Sequence, residues 1–68
     1  MKKTKKTLKE LRKEIRYTQK EVSEGSGIPF SSYVAYELGN RKPSLYAASK
    51  IAAFYKCAVD DIDFDPNE

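Results

Sequence analysis

Side chains able to bind an anion are concentrated in two short segments of this chain. The first segment is Thr18-Gln19-Lys20, at the predicted start of a helix, and the second is Asn40-Arg41-Lys42, in a predicted loop. Hydroxyl, amide and cationic side chains donate hydrogen bonds to phosphate oxygens, and the free N–H groups at a helix start do the same. These six residues are therefore predicted to contact a polyanion. A solvated first helical turn and a solvated basic loop are the simpler alternatives.

The distribution of charge along the chain agrees with a polyanionic partner. The 68 residues include 13 Lys and Arg and 10 Asp and Glu, for a net charge of +3. Residues 1–42 hold eleven of the basic residues and five of the acidic ones, whereas residues 43–68 hold two and five. A dipolar chain of this kind suits a protein that presents one face to double-stranded DNA. A charged surface that only keeps a small domain soluble is the alternative.

Other kinds of chemistry have little support in this composition. The chain has no histidine and one cysteine, Cys57, so we expect no internal disulfide and no zinc site. The acidic residues Asp60, Asp61, Asp63 and Asp65 lack the spacing and the glycine of a calcium loop. We therefore expect no catalytic residue, metal, cofactor or small-molecule substrate. No apolar run is long enough to span a membrane, so we expect a cytoplasmic protein.

Two capping boxes predict where the first two helices begin. Each places a threonine three residues before a glutamate, in Thr7-Leu8-Lys9-Glu10 and in Thr18-Gln19-Lys20-Glu21. Together with apolar residues at helical spacing, they predict helices at about residues 8–16 and 19–25, the second ended by Gly25 and Gly27. Further capping and turn residues predict helices at about 30–37, 45–55 and 59–62. The expected fold is all-α, with five helices.

One domain is expected, over residues 7–64. The lysine-rich residues 1–6 are predicted to be a flexible basic arm, with a solubilising tail and a DNA-grasping arm as the two alternatives. Residues 65–68 are predicted to be an acidic tail. In the fourth helix, Leu45, Ala48 and Ile51 lie at the spacing of a core-facing stripe.

The order and spacing of these motifs resemble those of the XRE, or Cro/lambda-repressor-like, helix-turn-helix family over about residues 8–64. The matching segments are Leu11-Arg12, Thr18-Gln19-Lys20-Glu21, Gly27-Ile28, Tyr36-Glu37, Gly39, Pro43-Ser44-Leu45, Ile51-Ala52 and Val59-Asp60-Asp61-Ile62. The resemblance implies a five-helix domain whose second and third helices form the helix-turn-helix. It also implies a bacterial or phage transcription regulator, of the repressor type, that binds operator DNA as a homodimer.

The resemblance further implies roles for individual residues. Gln19 matches a glutamine that bonds a DNA phosphate, and residues 40–42 match a loop that contacts the DNA backbone. Arg12 and Glu37 match a shielded ion pair with an architectural role. Tyr33 and Tyr36 are expected to face the core. Base readout in the major groove is expected from the opposite face of the third helix, which carries Phe30, Ser31, Ser32, Val34 and Ala35.

Dimer contacts are expected from apolar residues near the chain end, namely Phe54, Ile62 and Phe64, because no separate oligomerisation domain is visible. A core position is the alternative for these residues. A second hypothesis is a protein-interaction module, antirepressor-like or antitoxin-like, in which the apolar face of the third helix binds another protein. A second regulatory protein is also a possible partner under the first hypothesis.

The predicted reading face leads to an expectation about the operator. Phe30, Val34 and Ala35 can contact thymine methyl groups but cannot make the bidentate hydrogen bonds that read other bases. We expect A·T-rich half-sites, with much of the specificity coming from DNA shape. Selection of binding sites from a randomised DNA pool measures this preference. An invariant G at the centre of each half-site would contradict it.

Overall fold

Four α-helices make up most of the computed structural model, which describes residues 5–64. The helices are α1 (Leu8–Ile15), α2 (Gln19–Ser26), α3 (Phe30–Leu38) and α4 (Leu45–Tyr55). Their ends differ from the predicted ends by no more than one residue. In the part of the chain described, none of the helices has the length and apolar character needed to cross a bilayer.

Side-chain caps determine where three of these helices begin. Thr7 Oγ1 accepts a hydrogen bond from the Glu10 N–H at 3.2 Å, and the Glu10 carboxylate accepts one from the Thr7 N–H at 2.9 Å. Thr18 and Glu21 repeat this arrangement at the start of α2, at 3.1 and 2.8 Å. Ser44 caps α4 through the N–H of Ala47. Each cap satisfies N–H groups that the helix itself leaves free, and one such residue contributes about 1 kcal/mol.

The ends of α2 and α3 depend on glycines with a left-handed backbone. Gly27 and Gly39, with φ of 78° and 82°, follow the last residues of α2 and α3. A residue with a Cβ adopts this conformation only at a cost, so glycine favours a helix end at both places. Gly25 lies inside α2, so Gly27 alone ends that helix.

The predicted fifth helix is not confirmed as an α-helix. Val59–Asp61 form a single 3-10 turn, which begins after Ala58, a residue without a side-chain acceptor for capping. The chain then enters a two-residue strand, β2 (Ile62–Asp63), which pairs in parallel with β1 (Lys6–Thr7). No strand was predicted, because two residues are too few to show an alternating pattern.

The short strand pair also includes one residue of the predicted basic arm. Lys6, at the end of the predicted basic arm, pairs with Ile62 and is part of the folded domain. Its ammonium group is hydrogen-bonded to the Glu14 carboxylate on α1. Residues 1–4 of the predicted arm and the predicted acidic tail, residues 65–68, lie outside the described residues.

The core is formed by side chains from all four helices, from the turn between α2 and α3 and from β2. Three alanines on α4 belong to it, and small side chains allow neighbouring helices to approach closely. Its buried apolar members are Leu8, Val22, Ile28, Tyr33, Ala47, Ala48, Ile51, Ala52 and Ile62.

Gly25 has a packing role that offsets its cost inside a helix. A Cβ at this position would overlap Cε1 of the Phe54 ring on α4. That ring makes edge contacts with Tyr17 and Tyr55, with centroids 5.7 and 5.2 Å away. The missing side chain therefore allows an aromatic cluster to lie against α2.

This packing predicts opposite effects of one substitution in two backgrounds. Gly25→Ala should lower the free energy of unfolding by about 1–2 kcal/mol, because the Phe54 ring must move out of its edge contacts. In a Phe54→Ala background, the same substitution should raise it by about 0.5–1 kcal/mol, because alanine favours helix more than glycine does. Urea denaturation of the four proteins measures both effects. Equal effects in the two backgrounds would contradict the packing role.

Candidate nucleic-acid interface

A buried ion pair joins α1 to the last turn of α3. Arg12 Nε donates a hydrogen bond to Glu37 Oε2 at 2.8 Å, and Arg12 Nη2 donates one to Oε1 at 3.2 Å. The two side chains are 16% and 3% exposed. Arg12 Nη1 also donates to the carbonyl oxygen of Tyr17 at 3.0 Å, next to the Thr18 cap of α2. The two residues matched to an ion pair in the sequence therefore do pair, and they also hold the start of α2.

Gln19 is the third member of this cluster. Its Nε2 donates a hydrogen bond to Glu37 Oε1 at 2.8 Å. We call Arg12, Gln19 and Glu37 the Glu37 cluster. Gln19 is the first residue of α2 and was predicted to contact a phosphate, but its bond to Glu37 was not predicted. No spacing rule relates two residues on different helices, so only the packing of α2 against α3 reveals this bond.

The Glu37 carboxyl group is ionised at neutral pH in this environment. Burial alone would raise its pKa, but hydrogen bonds from Arg12 and Gln19, together with the Arg12 charge, outweigh burial and lower the pKa. The pKa of Arg12 is raised, chiefly by its hydrogen bond to Glu37. The cluster therefore contains one full negative charge and one full positive charge, and both oxygens of the Glu37 carboxylate accept hydrogen bonds.

Two buried serines shape the turn between α2 and α3. Ser23 Oγ donates a hydrogen bond to the carbonyl oxygen of Ile28 at 2.6 Å, across the turn. Ser26 Oγ donates to the carbonyl oxygen of Val22 at 2.7 Å, within α2. Together with the left-handed Gly27, these bonds fix the direction in which the chain enters α3.

The inner face of α3 carries large aromatic side chains. Tyr33 is fully buried, and Tyr36 is half-buried against the core, as predicted. The Tyr33 hydroxyl is hydrogen-bonded to the Tyr55 hydroxyl on α4 at 2.9 Å. Burial and this bond raise the pKa of Tyr33, so its hydroxyl is neutral. These contacts hold the inner face of α3 against α4 and leave the opposite face outward.

The outer face of α3 carries the five residues that were predicted to read bases. Phe30 is 50% exposed, and Ser31 is exposed as well. Ser32, Val34 and Ala35 are half-buried. Leu38, which lay just beyond the predicted end of the helix, is 56% exposed and extends this apolar surface.

Both predicted phosphate-binding segments lie against α3. Gln19 reaches it through Glu37, and Arg41 Nη1 lies 3.5 Å from Ser32 Oγ. The Asn40 N–H donates to the carbonyl oxygen of Ala35 at 3.0 Å, which folds the loop after α3 back along the helix. Gln19 is half-buried, and the other members of the two segments, Thr18, Lys20, Asn40, Arg41 and Lys42, are exposed.

The three residues predicted to form a dimer surface are buried or half-buried in this domain. Ile62 is 2% exposed and belongs to the core, so it offers no dimer surface in this domain. Phe54 and Phe64 are half-buried and pack against the core. Leu45, placed on the core stripe of the fourth helix, is instead 77% exposed, and Tyr46 beside it is 73% exposed. Periodicity identifies the face of a helix but not whether another element covers each turn of it.

The ion pair leads to a prediction about stability and pH. Arg12→Ala should lower the free energy of unfolding by about 3 kcal/mol at neutral pH, because it leaves the Glu37 carboxylate buried without its counter-charge. The folded-state pKa of Glu37 is depressed, so the contribution of the pair is present above the unfolded pKa and is lost as the pH falls through the folded pKa. The difference between the two proteins should therefore shrink as the pH falls from about 7 to about 3.

Urea denaturation at several pH values measures this difference. Lys6→Ala is the matched control, because it removes an ion pair that is exposed and should change stability little at any pH. A difference between wild type and Arg12→Ala that stays constant across the acidic range would contradict the role given to the pair.

A helix-turn-helix family model matches residues 8–62. The cryptic phage CTXphi transcriptional repressor RstR of Vibrio cholerae is 34% identical over 58 residues, which cover 85% of this chain and 52% of that protein. The chain thus spans about half the length of this curated relative. No solved structure gives a significant match. The family match covers most of the domain described above, and the chain belongs to the XRE-type helix-turn-helix family.

Proposed function

We propose that this protein is a sequence-specific, DNA-binding transcriptional regulator, of the repressor type, that places α3 in the major groove as a homodimer. The observation that carries this proposal is the position of α3. Its inner face is held by the core and the Glu37 cluster, its outer face is exposed at Phe30, Ser31 and Leu38, and the two segments predicted to bind phosphate lie against it. Membership of the family and the similarity to a phage repressor support the same class of function.

In this proposal, phosphate contacts supply most of the affinity. The first turn of α2 offers free N–H groups, the positive end of the helix dipole and the side chains of residues 18–20. The loop at residues 40–42 offers two cations and an amide. Such contacts position a protein on DNA, and those made by cations make its affinity depend steeply on salt.

Base readout in this proposal comes from the outer face of α3. Ser31 can bond base edges, and Phe30 can contact the methyl groups of thymine. Because the side chains of Val34 and Ala35 are half-buried, they do not prevent α3 from approaching the DNA groove closely. This surface favours the A·T-rich half-sites and the shape readout expected from the sequence.

The dimer surface in this proposal lies at the start of α4. Leu45 borders a hollow of about 370 Å³, whose other apolar lining includes Pro43, Val59 and Phe64. Lys42 also lines the hollow and gives it a basic edge. An exposed apolar patch of this kind can pair with its own copy around a two-fold axis.

The apolar character of α3 also favours a second candidate function. Phe30 and Leu38 are half-exposed or more, and exposed apolar side chains often mark protein contacts. A protein-interaction module would use this face to bind another protein. It would give no retention of DNA in a gel-shift assay at any salt concentration, whereas a regulator would retain DNA at low salt.

DNA binding is tested by titrating a labelled duplex at several salt concentrations. Wild-type protein should bind, and affinity should fall by at least about tenfold between about 50 and 200 mM salt. Arg41→Ala should weaken binding to all sequences alike and reduce the slope of log K against log salt by about 0.9 per protomer.

Lys9→Ala is the matched control, because it removes the same charge from the exposed face of α1. It should leave the slope nearly unchanged. Equal changes of the salt slope in Arg41→Ala and Lys9→Ala would contradict a specific phosphate contact at Arg41.

Dimer formation is tested at Leu45. Leu45→Ser should weaken self-association by about tenfold or more without changing stability, because the side chain is exposed in the single domain. Sedimentation equilibrium measures the association constant. Ala53→Ser changes an exposed residue of the same helix and serves as the control. A wild-type protein that is monomeric both in free solution and when bound to DNA would contradict the homodimer.

A further inference from the structure

The orientation of the Gln19 amide is determined by the chemistry of its partner. An ionised carboxylate can only accept hydrogen bonds, so the group that faces Glu37 Oε1 must be the amide nitrogen of Gln19 and not its oxygen. An amide nitrogen carries two hydrogens, and the bond to Glu37 uses one of them. The second N–H and the carbonyl oxygen of Gln19 are then directed away from the carboxylate, at the first turn of α2.

We infer that Glu37 is a positioning residue for DNA binding, which holds the Gln19 side chain so that its second N–H meets a phosphate. This inference rests on the proposed function. It assigns the Glu37 cluster a role beyond stability, because the same carboxylate that receives Arg12 also orients a residue at the DNA interface.

The physical gain is pre-organisation. A free glutamine side chain samples many rotamers, and immobilising it on DNA costs about 0.5–1.5 kcal/mol. The bond to Glu37 imposes that cost during folding, before DNA arrives. The same bond limits the amide to one orientation, so the donor and not the acceptor is presented to an anion.

Arg12 makes this arrangement compatible with a nearby phosphate. A lone carboxylate beside the DNA backbone would repel it, but the guanidinium of Arg12 contacts both oxygens of Glu37 and compensates its charge. The guanidinium is also bound to the Tyr17 carbonyl, so it holds both the carboxylate and the residue just before the Thr18 cap. The cluster thus fixes Gln19 through its side chain and through the backbone that precedes it.

Glu37→Gln separates positioning from simple electrostatics, because the two explanations predict opposite changes in the affinity for DNA. The substitution removes one negative charge, so electrostatics alone predicts tighter binding to DNA. The new amide cannot accept from Arg12 and Gln19 as the carboxylate does, so loss of positioning predicts weaker binding, by about tenfold.

The experiment is a double-mutant cycle with a labelled random-sequence DNA duplex at low salt. Wild type, Gln19→Ala, Glu37→Gln and the double variant are compared at a temperature where circular dichroism shows each to be folded. We expect either single variant to bind about tenfold more weakly than wild type, and the double variant to bind no more weakly than Gln19→Ala. Because glutamine is uncharged, Gln19→Ala should leave the salt slope unchanged, unlike Arg41→Ala.

The outcomes separate this inference from the proposed function. If wild type itself fails to bind the duplex at low salt, the proposed function fails. If wild type binds but Gln19→Ala binds equally well, or if the Glu37→Gln loss persists in the Gln19→Ala background, only the inference fails.

A measurement on the wild-type protein covers the case in which Glu37→Gln does not fold. The side-chain amide signals of Gln19 in a ¹H–¹⁵N NMR spectrum should be distinct in the free protein and should shift when the duplex is added. Signals of Gln19 that stay in place while those of Arg41 shift would overturn the inference.

Discussion

The architecture depends on one buried carboxylate, that of Glu37. It receives hydrogen bonds from Arg12 on α1 and from Gln19 on α2, while its own backbone belongs to α3. Burying a charge is unfavourable unless a partner and hydrogen bonds replace the water that it loses, and here both are present. The three helices therefore meet in one geometry, in which the start of α2 and the end of α3 lie side by side.

The rest of the domain is a small core that supports this geometry. A chain of about this size buries only about 60% of its unfolded surface, so each core contact is a large share of its stability. Three alanines on α4 and Gly25 on α2 allow close packing, and Phe54 fills the space that the glycine leaves. The pairing of β1 with β2 then joins the two ends of the domain.

The surface of the domain differs in polarity and charge from one region to the next. The outer face of α3 and the start of α4 expose large apolar side chains, including Phe30, Leu38, Leu45 and Tyr46. The basic side chain of Arg41 lies against α3, whereas acidic residues follow α4 in the chain. Exposed apolar patches often mark surfaces that contact another molecule, and these are the two surfaces for which contacts with DNA and with a second copy are proposed.

Sequence patterns were sufficient to predict the four α-helices, the turn and the family, because caps, glycine ends and helical spacing act between residues close in the chain. Thr18 and Glu21, or Gly27 and its helix, need no distant partner to specify their structure. Only the packed structure reveals the bond from Gln19 to Glu37, the pairing of Lys6 with Ile62 and the exposure of Leu45. These features join or separate elements that are distant in sequence, and they depend on how the helices pack, which local patterns do not specify.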